Sequence, residues 1–389
     1  MSSSDDSPKN NLLQEGWHFV ACMPQLQLKE AIDLDHMAIV PPTDARLSPF
    51  REHAPVISRM LDGFTNNRGQ KAEVASLLAK DDVPEAMKSK HSEAVGDYRN
   101  AYAIACISNG WQQTVGGPNA VGTLFSDYFD FYPAIPVFHG DGFVVRSASI
   151  DKYDRASKFF GHLYPDLPET KHLTLPQPDR AFLKLLLFVL DQKYRRKRVP
   201  WPVTALSRSL AYAFRAGRMP KGCDNFLFDY GINLGLWHAA FDCLVKPRDP
   251  NLSTNKQFVF DLLEKRDWYE STLKRKVNVK VGKNRFIKLN YIQRLYNAIR
   301  IARNDFLHGN RVNLASIADR RTIKSGSLLS VAPLVYQVAV EQFISENFSL
   351  PQVKPSKSTS IANYIAKNRM STALLAFLNG PESSDEDEP

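Results

Sequence analysis

The chain has only four cysteines in 389 residues, Cys22, Cys106, Cys223 and Cys243, and no C-x-x-C pair. That scatter excludes a disulfide framework and a cysteine zinc site, and it fits a reducing cytoplasmic setting. Long apolar runs are lacking as well. The longest, Ala181 to Leu190, is about half of what spans a bilayer, so no membrane association is expected. The opening MSSSDDSPKNN has no apolar stretch of the secretory kind. Phosphate-loop and dinucleotide signatures are also missing: NGWQQTVGGPNAVG, Asn109 to Gly122, ends in no G-K-[ST] and reads as a loop. No helix-turn-helix with a glycine turn stands out, which weakens a DNA-binding regulator. In FHGD, His139 and Asp141 have no third ligand nearby, so neither a metal nor another cofactor is assigned.

What is there is an ordinary globular composition with an uneven charge. Hydrophobic residues make up 43% and charged residues 23%, which excludes general disorder. The length exceeds what one core usually serves, so two domains are expected. The net charge is +9, yet Glu382, Asp385, Glu386, Asp387 and Glu388 crowd into the last residues. The remaining thirty-six acids face fifty Lys and Arg, so the body carries +14. Such a body favours a polyanionic partner, nucleic acid before an anionic surface.

The fold class expected is α+β. Residues 1–12 and the acidic tail 380–389 are expected to be disordered. Residues 13–171 mix strand-like pieces, WHFVACM, HMAIV and GFVVRSASI, with helix-like KAEVASLLAK and YRNAYAIACIS, and form an α+β domain. The aromatic cluster DYFDFYP, Asp127 to Pro133, reads as core packing. A proline-spaced linker, Tyr164 to Arg180, precedes a helical domain over 172–350 and a further helix over 351–379 packed on it. The helices expected after the linker are AFLKLLLFVLDQKYRRKR, PVTALSRSLAYAFRAG, FDYGINLGLWHAAFDCLV, QFVFDLLEKRDWYESTLKRK, YIQRLYNAIRIARNDFLH, LLSVAPLVYQVAVEQFISENF and TSIANYIAKNRMSTALLAFL. QKYRRKRVP reads as a basic helix end or a polyanion-facing patch, and RAGRMPKGCDN as a connecting loop whose Cys223 has no histidine partner.

Chemistry concentrates in the fifth of these helices. Ile292, Leu295, Tyr296, Ile299, Ala302 and Phe306 recur at spacings of three and four and build one apolar face. Arg294, Arg300 and Arg303 are expected on the opposite face. They continue a basic run in which Lys274, Arg275, Lys276, Lys280, Lys283, Arg285 and Lys288 fall within fifteen residues. Lys276, Lys283, Arg285 and Arg300 are the RNA-contacting candidates. The helix ends in RNDFLHGN, which admits two readings. Gly309 suits the left-handed position after a helix and His308 suits its negative end, so the stretch can be a plain stop. Alternatively, Arg303, Asn304 and His308 form a catalytic set. Metal-free RNA cleavage needs an imidazole to move protons and a guanidinium to stabilise charge developing on phosphate. At ~100° per residue, Asn304 and His308 lie within ~40°, whereas Arg303 and His308 are ~140° apart. Two such helices across a two-fold axis would gather both pairs into one cleft.

RNDFLHGN resembles the R-x-x-x-x-H signature of HEPN domains, with Asn304 in the polar position that follows the arginine. The earlier WHAAFD, Trp237 to Asp242, is similar to a helix of the Apea-like branch, with Asp242 where that branch more often has glutamate. The resemblance covers about Asp179 to Asn347. It implies a helical bundle that dimerises through the helix carrying Arg303 and His308. It also implies a metal-independent endoribonuclease leaving 2′,3′-cyclic phosphate and 5′-hydroxyl ends, in toxin or antiviral defence settings. Other members have lost catalysis and bind RNA or a protein partner, which keeps a silent scaffold open as the alternative. On the nuclease reading the N-terminal domain would sense a trigger or hold activity in check, and a regulatory protein partner is also considered. His238 is expected as a core or interface histidine, and Asp242 as a residue that orients an arginine across the bundle. Asp305 is considered for the same role toward Arg303.

Overall fold

The structure is a computed structural model, and it describes residues 13–14, 16–24, 26–65, 71, 73–114, 129, 132–136, 143–145, 161–162, 177–217, 226–247, 249, 251, 255–280, 285–310, 322–324, 326–350 and 357–379. It is mixed α and β, with an antiparallel sheet toward the N-terminus and helices later. The chain divides into two compact units, residues 1–98 with 127–176 and residues 99–126 with 177–389.

The first unit is built on one sheet in the order β3-β4-β6-β2-β7-β8, with β1 also paired to β2. The strands are β1 (Leu13–Gln14), β2 (Trp17–Met23), β3 (Ile32–Leu34), β4 (Met37–Val40), β6 (Ala75–Lys80), β7 (Tyr132–Pro136) and β8 (Phe143–Val145), every pairing antiparallel. A separate parallel pair joins β5 (Phe64–Thr65) to β9 (Gly161–His162). Phe19, Cys22, Ala38, Val40 and Leu78 from the sheet pack with Leu47, Phe50, Ile57 and Leu61, the last three from helices α1 (Ser48–His53) and α2 (Pro55–Asp62). The segment KAEVASLLAK, expected as a helix, supplies β6 instead. Lying between β4 and β2, Ala75 to Ala79 are buried throughout, so the outward polar residues that mark a strand are missing.

Two helices follow β6, the short α3 (Glu85–Ser89) and the long α4 (His91–Thr114). Residues 99–114 of α4 belong with the second unit, not with the N-terminal domain where the sequence placed them. There the Ser108 hydroxyl donates to the Pro333 carbonyl (3.5 Å), Asn109 Nδ2 to the Gln177 carbonyl (2.9 Å) and Gln112 Nε2 to Gln337 Oε1 (2.9 Å).

The second unit holds α5 (Arg180–Arg195), α6 (Trp201–Ala216), α7 (Phe226–Val245), α8 (Lys256–Glu264), α9 (Ser271–Lys274), α10 (Tyr291–Leu307), α11 (Leu328–Asn347) and α12 (Lys357–Asn379). Asp179 caps α5 by accepting from Ala181 N and Phe182 N, and it also accepts from Gln337 Nε2 (2.9 Å) of α11. Helix α11 is the one helix among the described residues long and apolar enough to cross a bilayer. Its apolarity has a local cause, since Val331, Leu334, Val335, Val338 and Ile344 are all fully buried. At the centre, Trp237 and Phe241 of α7 meet Tyr336 of α11, and Phe241 and Phe260 meet Tyr296 of α10 edge-on. Ser209 joins them through its hydroxyl, which donates to the Ala240 carbonyl (2.7 Å) and pairs with the Tyr336 hydroxyl (2.7 Å).

Two expectations for this unit change. QFVFDLLEKRDWYESTLKRK is not one helix: α8 stops at Glu264 and α9 restarts at Ser271. Between them Arg266 pairs with Glu341 of α11 and lies 5.4 Å from the Trp268 ring, which fixes the segment outside helical register. The basic run that follows forms a two-stranded hairpin, β10 (Val277–Lys280) with β11 (Phe286–Leu289). Its alternation, V-N-V-K and F-I-K-L, has the period of a ribbon with one wet face.

Candidate functional site

Helix α10 is fixed at both ends. At its start Asn290 Oδ1 accepts from Gln293 N (3.0 Å) while Gln293 Oε1 accepts from Asn290 N (2.9 Å), a reciprocal cap. Gln293 Nε2 also donates to the Phe260 carbonyl (2.8 Å), tying α10 to α8. At its end Gly309 takes φ +69°, the left-handed geometry that favours glycine, and His308 N donates to the Asn304 carbonyl (2.9 Å). Phe306 packs edge-on to Phe228 at 5.5 Å and lies on Gly231 of α7. A Cβ at Gly231 would overlap the Phe306 ring, so close approach of the two helices requires glycine there.

Between these anchors α7, α8 and α10 enclose a pocket of about 400 Å³ lined by His238, Asp242, Asn255, Lys256, Tyr296, Arg300 and Asn304. Tyr296, Arg300 and Asn304 succeed one another at one helical turn, so α10 presents them as a column. The N-terminus of α8 opens into the pocket at Asn255, whose side chain caps the helix by accepting from Gln257 N (2.9 Å). A helix start is electropositive, and Lys256 and Arg300 add two cations. Burial lowers the Lys256 ammonium below its ordinary value, and repulsion from Arg300 and Arg285 lowers it further. The Tyr296 hydroxyl is buried with no hydrogen-bond partner among the described residues. Burial pushes its pKa far up, Asp242 raises it again, and Arg300 and Arg303 pull against them. Asp242 Oδ2 accepts from or pairs with His238 Nδ1 at 3.1 Å, and the His238 ring stacks on Tyr296 at 6.1 Å and 18°.

The predicted residues are not all gathered here. Asn304 and Arg300 line the pocket. Arg303 is partly buried, donates from Nη1 to Asn304 Oδ1 (2.9 Å), and keeps a buried Nε with no partner among the described residues. Neither Arg300 nor Arg303 lies on an open face opposite the apolar one. Arg303 falls ~20° and Arg300 ~40° from Tyr296 around the helix, so both flank the buried stripe. Arg300 Nη2 donates to Asn297 Oδ1 (3.0 Å). His308 is exposed beyond the helix end and does not line the pocket. Asp242 faces His238, not an arginine, and Asp305 accepts from Asn310 Nδ2 (2.9 Å). Lys276 pairs with Glu264, and Arg285 is exposed. Lys283, His139, Asp141, Cys223 and the run from Val115 to Gly122 lie outside the described residues. At the end of α5, Arg195 pairs with Asp191 (2.6 Å) and Lys193 donates to Ser207 (2.9 Å), so these two basic residues are engaged within the unit. No cluster of three or more metal-ligating side chains occurs among the described residues.

Sequence reasoning missed Asn255, Lys256 and Tyr296. The first two end a polar stretch, NLSTNK, whose Asn255 is a good helix cap, but nothing in it marks a ligand. Tyr296 was read only as core, and the i, i+4 pair His238 and Asp242 was the one local signal of a polar site on an apolar helix. Compared with family models, curated proteins and solved structures, the chain matches none.

Proposed function

We propose that the helical unit binds RNA phosphates at the α7/α8/α10 pocket and cleaves RNA without a metal, as a HEPN-type endoribonuclease. One observation carries this: Asn304 of RNDFLHGN opens into an electropositive pocket in which Asp242, the one carboxylate among the described lining residues, is occupied by His238. A phosphate there would meet the α8 N-terminus, Lys256 and Arg300, and would relieve the crowding that depresses Lys256. Asn304 accepts from Arg303 Nη1 and so holds the guanidinium beside the pocket, from where its Nη groups would meet the equatorial oxygens of the reacting phosphate.

In the reaction the 2′-hydroxyl oxygen attacks the adjacent phosphorus and the bond to the 5′-oxygen breaks. A base removes the 2′ proton and an acid delivers one to the 5′-oxygen, which leaves a 2′,3′-cyclic phosphate and a 5′-hydroxyl. His308 is exposed, so its ring reaches a substrate without unfolding anything. Because it lies outside the pocket of its own chain, a second copy would complete the site, one supplying the phosphate cradle and its partner the imidazole. Such a nuclease suits a toxin or antiviral role in the cytoplasm, with a regulatory partner or the N-terminal unit restraining it. The alternative, an RNA- or protein-binding scaffold without catalysis, draws on the same exposed position of His308. Incubating the purified chain with RNA in EDTA separates them: cleavage with cyclic phosphate ends supports the nuclease, and binding without cleavage supports the scaffold.

A further inference from the structure

The hairpin β10–β11 carries a surface that the pocket does not explain. Its register pairs Asn278 with Lys288 and Lys280 with Phe286. Side chains alternate across a ribbon, so these four share one face, and all four are exposed. Val277, Val279, Ile287 and Leu289 take the other face and are partly or fully buried. The hairpin is therefore amphipathic, yet its wet face holds a phenylalanine that is 60% exposed. Phe286 sits directly across from Lys280 and two residues before Lys288, so one aromatic ring is bracketed by two ammonium groups.

The cations around it are not equivalent. Lys274 pairs with Asp267 (3.3 Å) and Lys276 with Glu264. Among the described residues no carboxylate pairs with Lys280, Arg285 or Lys288. Arg285, the residue before β11, adds to the repulsion that lowers the Lys256 pKa. The hairpin thus offers an exposed ring, cations with no counter-charge among the described residues, and an arginine whose charge is felt at Lys256 of the pocket.

We propose that the exposed face of β10–β11 is a platform for a single-stranded nucleic acid, with a base stacked on Phe286 and neighbouring phosphates on Lys280 and Lys288. Stacking on an isolated aromatic beside lysines is how unpaired strands are held without sequence preference. A duplex keeps its bases inside and cannot use the ring. One phenylalanine among Asn278, Lys280 and Lys288 offers little continuous apolar area for a protein or an acyl chain. Arg285 would pass the strand on to the pocket. Naming the strand as RNA rests on the proposed function, but the platform needs no cleavage.

The test uses the full chain and a fluorescent 2′-O-methyl RNA oligomer, single-stranded or annealed, so that binding is read without cleavage. Phe286→Ala is expected to weaken single-strand binding about tenfold or more while Phe286→Trp retains it. Lys280→Ala with Lys288→Ala should lower the slope of log affinity against log salt by about 0.7 per lysine. Binding to the duplex should be unchanged by Phe286→Ala. The exposed ring makes the alanine variant a safe one for folding, which circular dichroism checks. Unchanged single-strand affinity in Phe286→Ala overturns the proposal. So does a change confined to self-association by sedimentation, or to capture on anionic vesicles, since the face would then serve another surface. A chain that binds this oligomer through Phe286 but cleaves no RNA overturns the nuclease and leaves the platform standing.

Discussion

Replacing Gly231 by alanine tests whether α7 and the end of α10 fit as closely as the structure has them. Alanine in the middle of a helix is favoured over glycine by ~1 kcal/mol, so on propensity alone the variant should be more stable. At Gly231, however, the new Cβ would fall within the Phe306 ring, far inside the 3.0 Å that real Cβ atoms keep. Ordinary carbon contact is ~3.5 Å, so the ring or the helix must retreat by roughly 1 Å or more. Overpacking of that kind costs ~1–3 kcal/mol, which cancels or exceeds the propensity gain. Gly235, one turn along α7, meets nothing within 4 Å and provides the internal control. Gly235→Ala should raise the melting temperature by about 2–4 °C, and Gly231→Ala should hold it level or lower it, at ~2–4 °C per kcal/mol. Shrinking the ring in Gly231→Ala/Phe306→Leu should recover part of the loss. Differential scanning calorimetry of the three variants decides the matter. If Gly231→Ala gains as much as Gly235→Ala, Phe306 does not seat on α7, and the placement of RNDFLHGN falls with it.

Arg303→Ala and His308→Ala should each lower RNA cleavage by ~10²–10⁴-fold with native circular dichroism, as removal of a charge stabiliser and a proton carrier predicts; a loss under tenfold in single-turnover assays would contradict their roles. Lys256→Ala should weaken RNA binding and reduce its salt dependence, and anisotropy titrations showing neither would remove the phosphate from the pocket. Ser209→Ala leaves the fully buried Tyr336 hydroxyl and the Ala240 carbonyl short of a partner and should cost ~1–3 kcal/mol in urea unfolding, whereas a cost below ~0.5 kcal/mol would contradict that bond's role. His18 and His91 are adjacent in the first unit at 5.8 Å, and burial lowers the pKa of both. Below ~6.5 the unfolded chain binds protons that the folded one resists, so stability is full above that value and falls as the pH drops through it. The protection factors of β2 amides, corrected for intrinsic exchange, should therefore fall from pH 7.5 to 5.5, and His91→Gln should flatten the change; equal protection at both pH values would refute it.

Helices α5, α6 and α10 were legible because their apolar stripes repeat at 3.6 residues, and α10 was placed to within a residue of Tyr291–Leu307, whereas α7 and α11 show in the sequence as long apolar runs without such a stripe. The sheet was less so. Buried on both sides, β6 loses its alternation and looks like an Ala/Leu helix. The hairpin β10–β11 was hidden by its charge, since seven basic residues drew the eye to phosphate before period. In the site, RNDFLHGN stood out for its polar residues at a helix end. Helical spacing alone puts Arg303 ~20° from Tyr296, so its place beside the apolar stripe follows from the sequence. That it is partly buried does not, because the cover over that flank comes from α7 and α8, which are distant in the chain. Nor could it pair His238 with Asp242 over Tyr296, although their spacing by four allowed it.

Cleavage of a single-stranded RNA by the purified chain in excess EDTA, with product ends identified by mass, tests the central claim most directly. The account predicts 2′,3′-cyclic phosphate and 5′-hydroxyl fragments that disappear in His308→Ala. Fragments that form only when a divalent ion is restored, or that persist undiminished in His308→Ala, would contradict it.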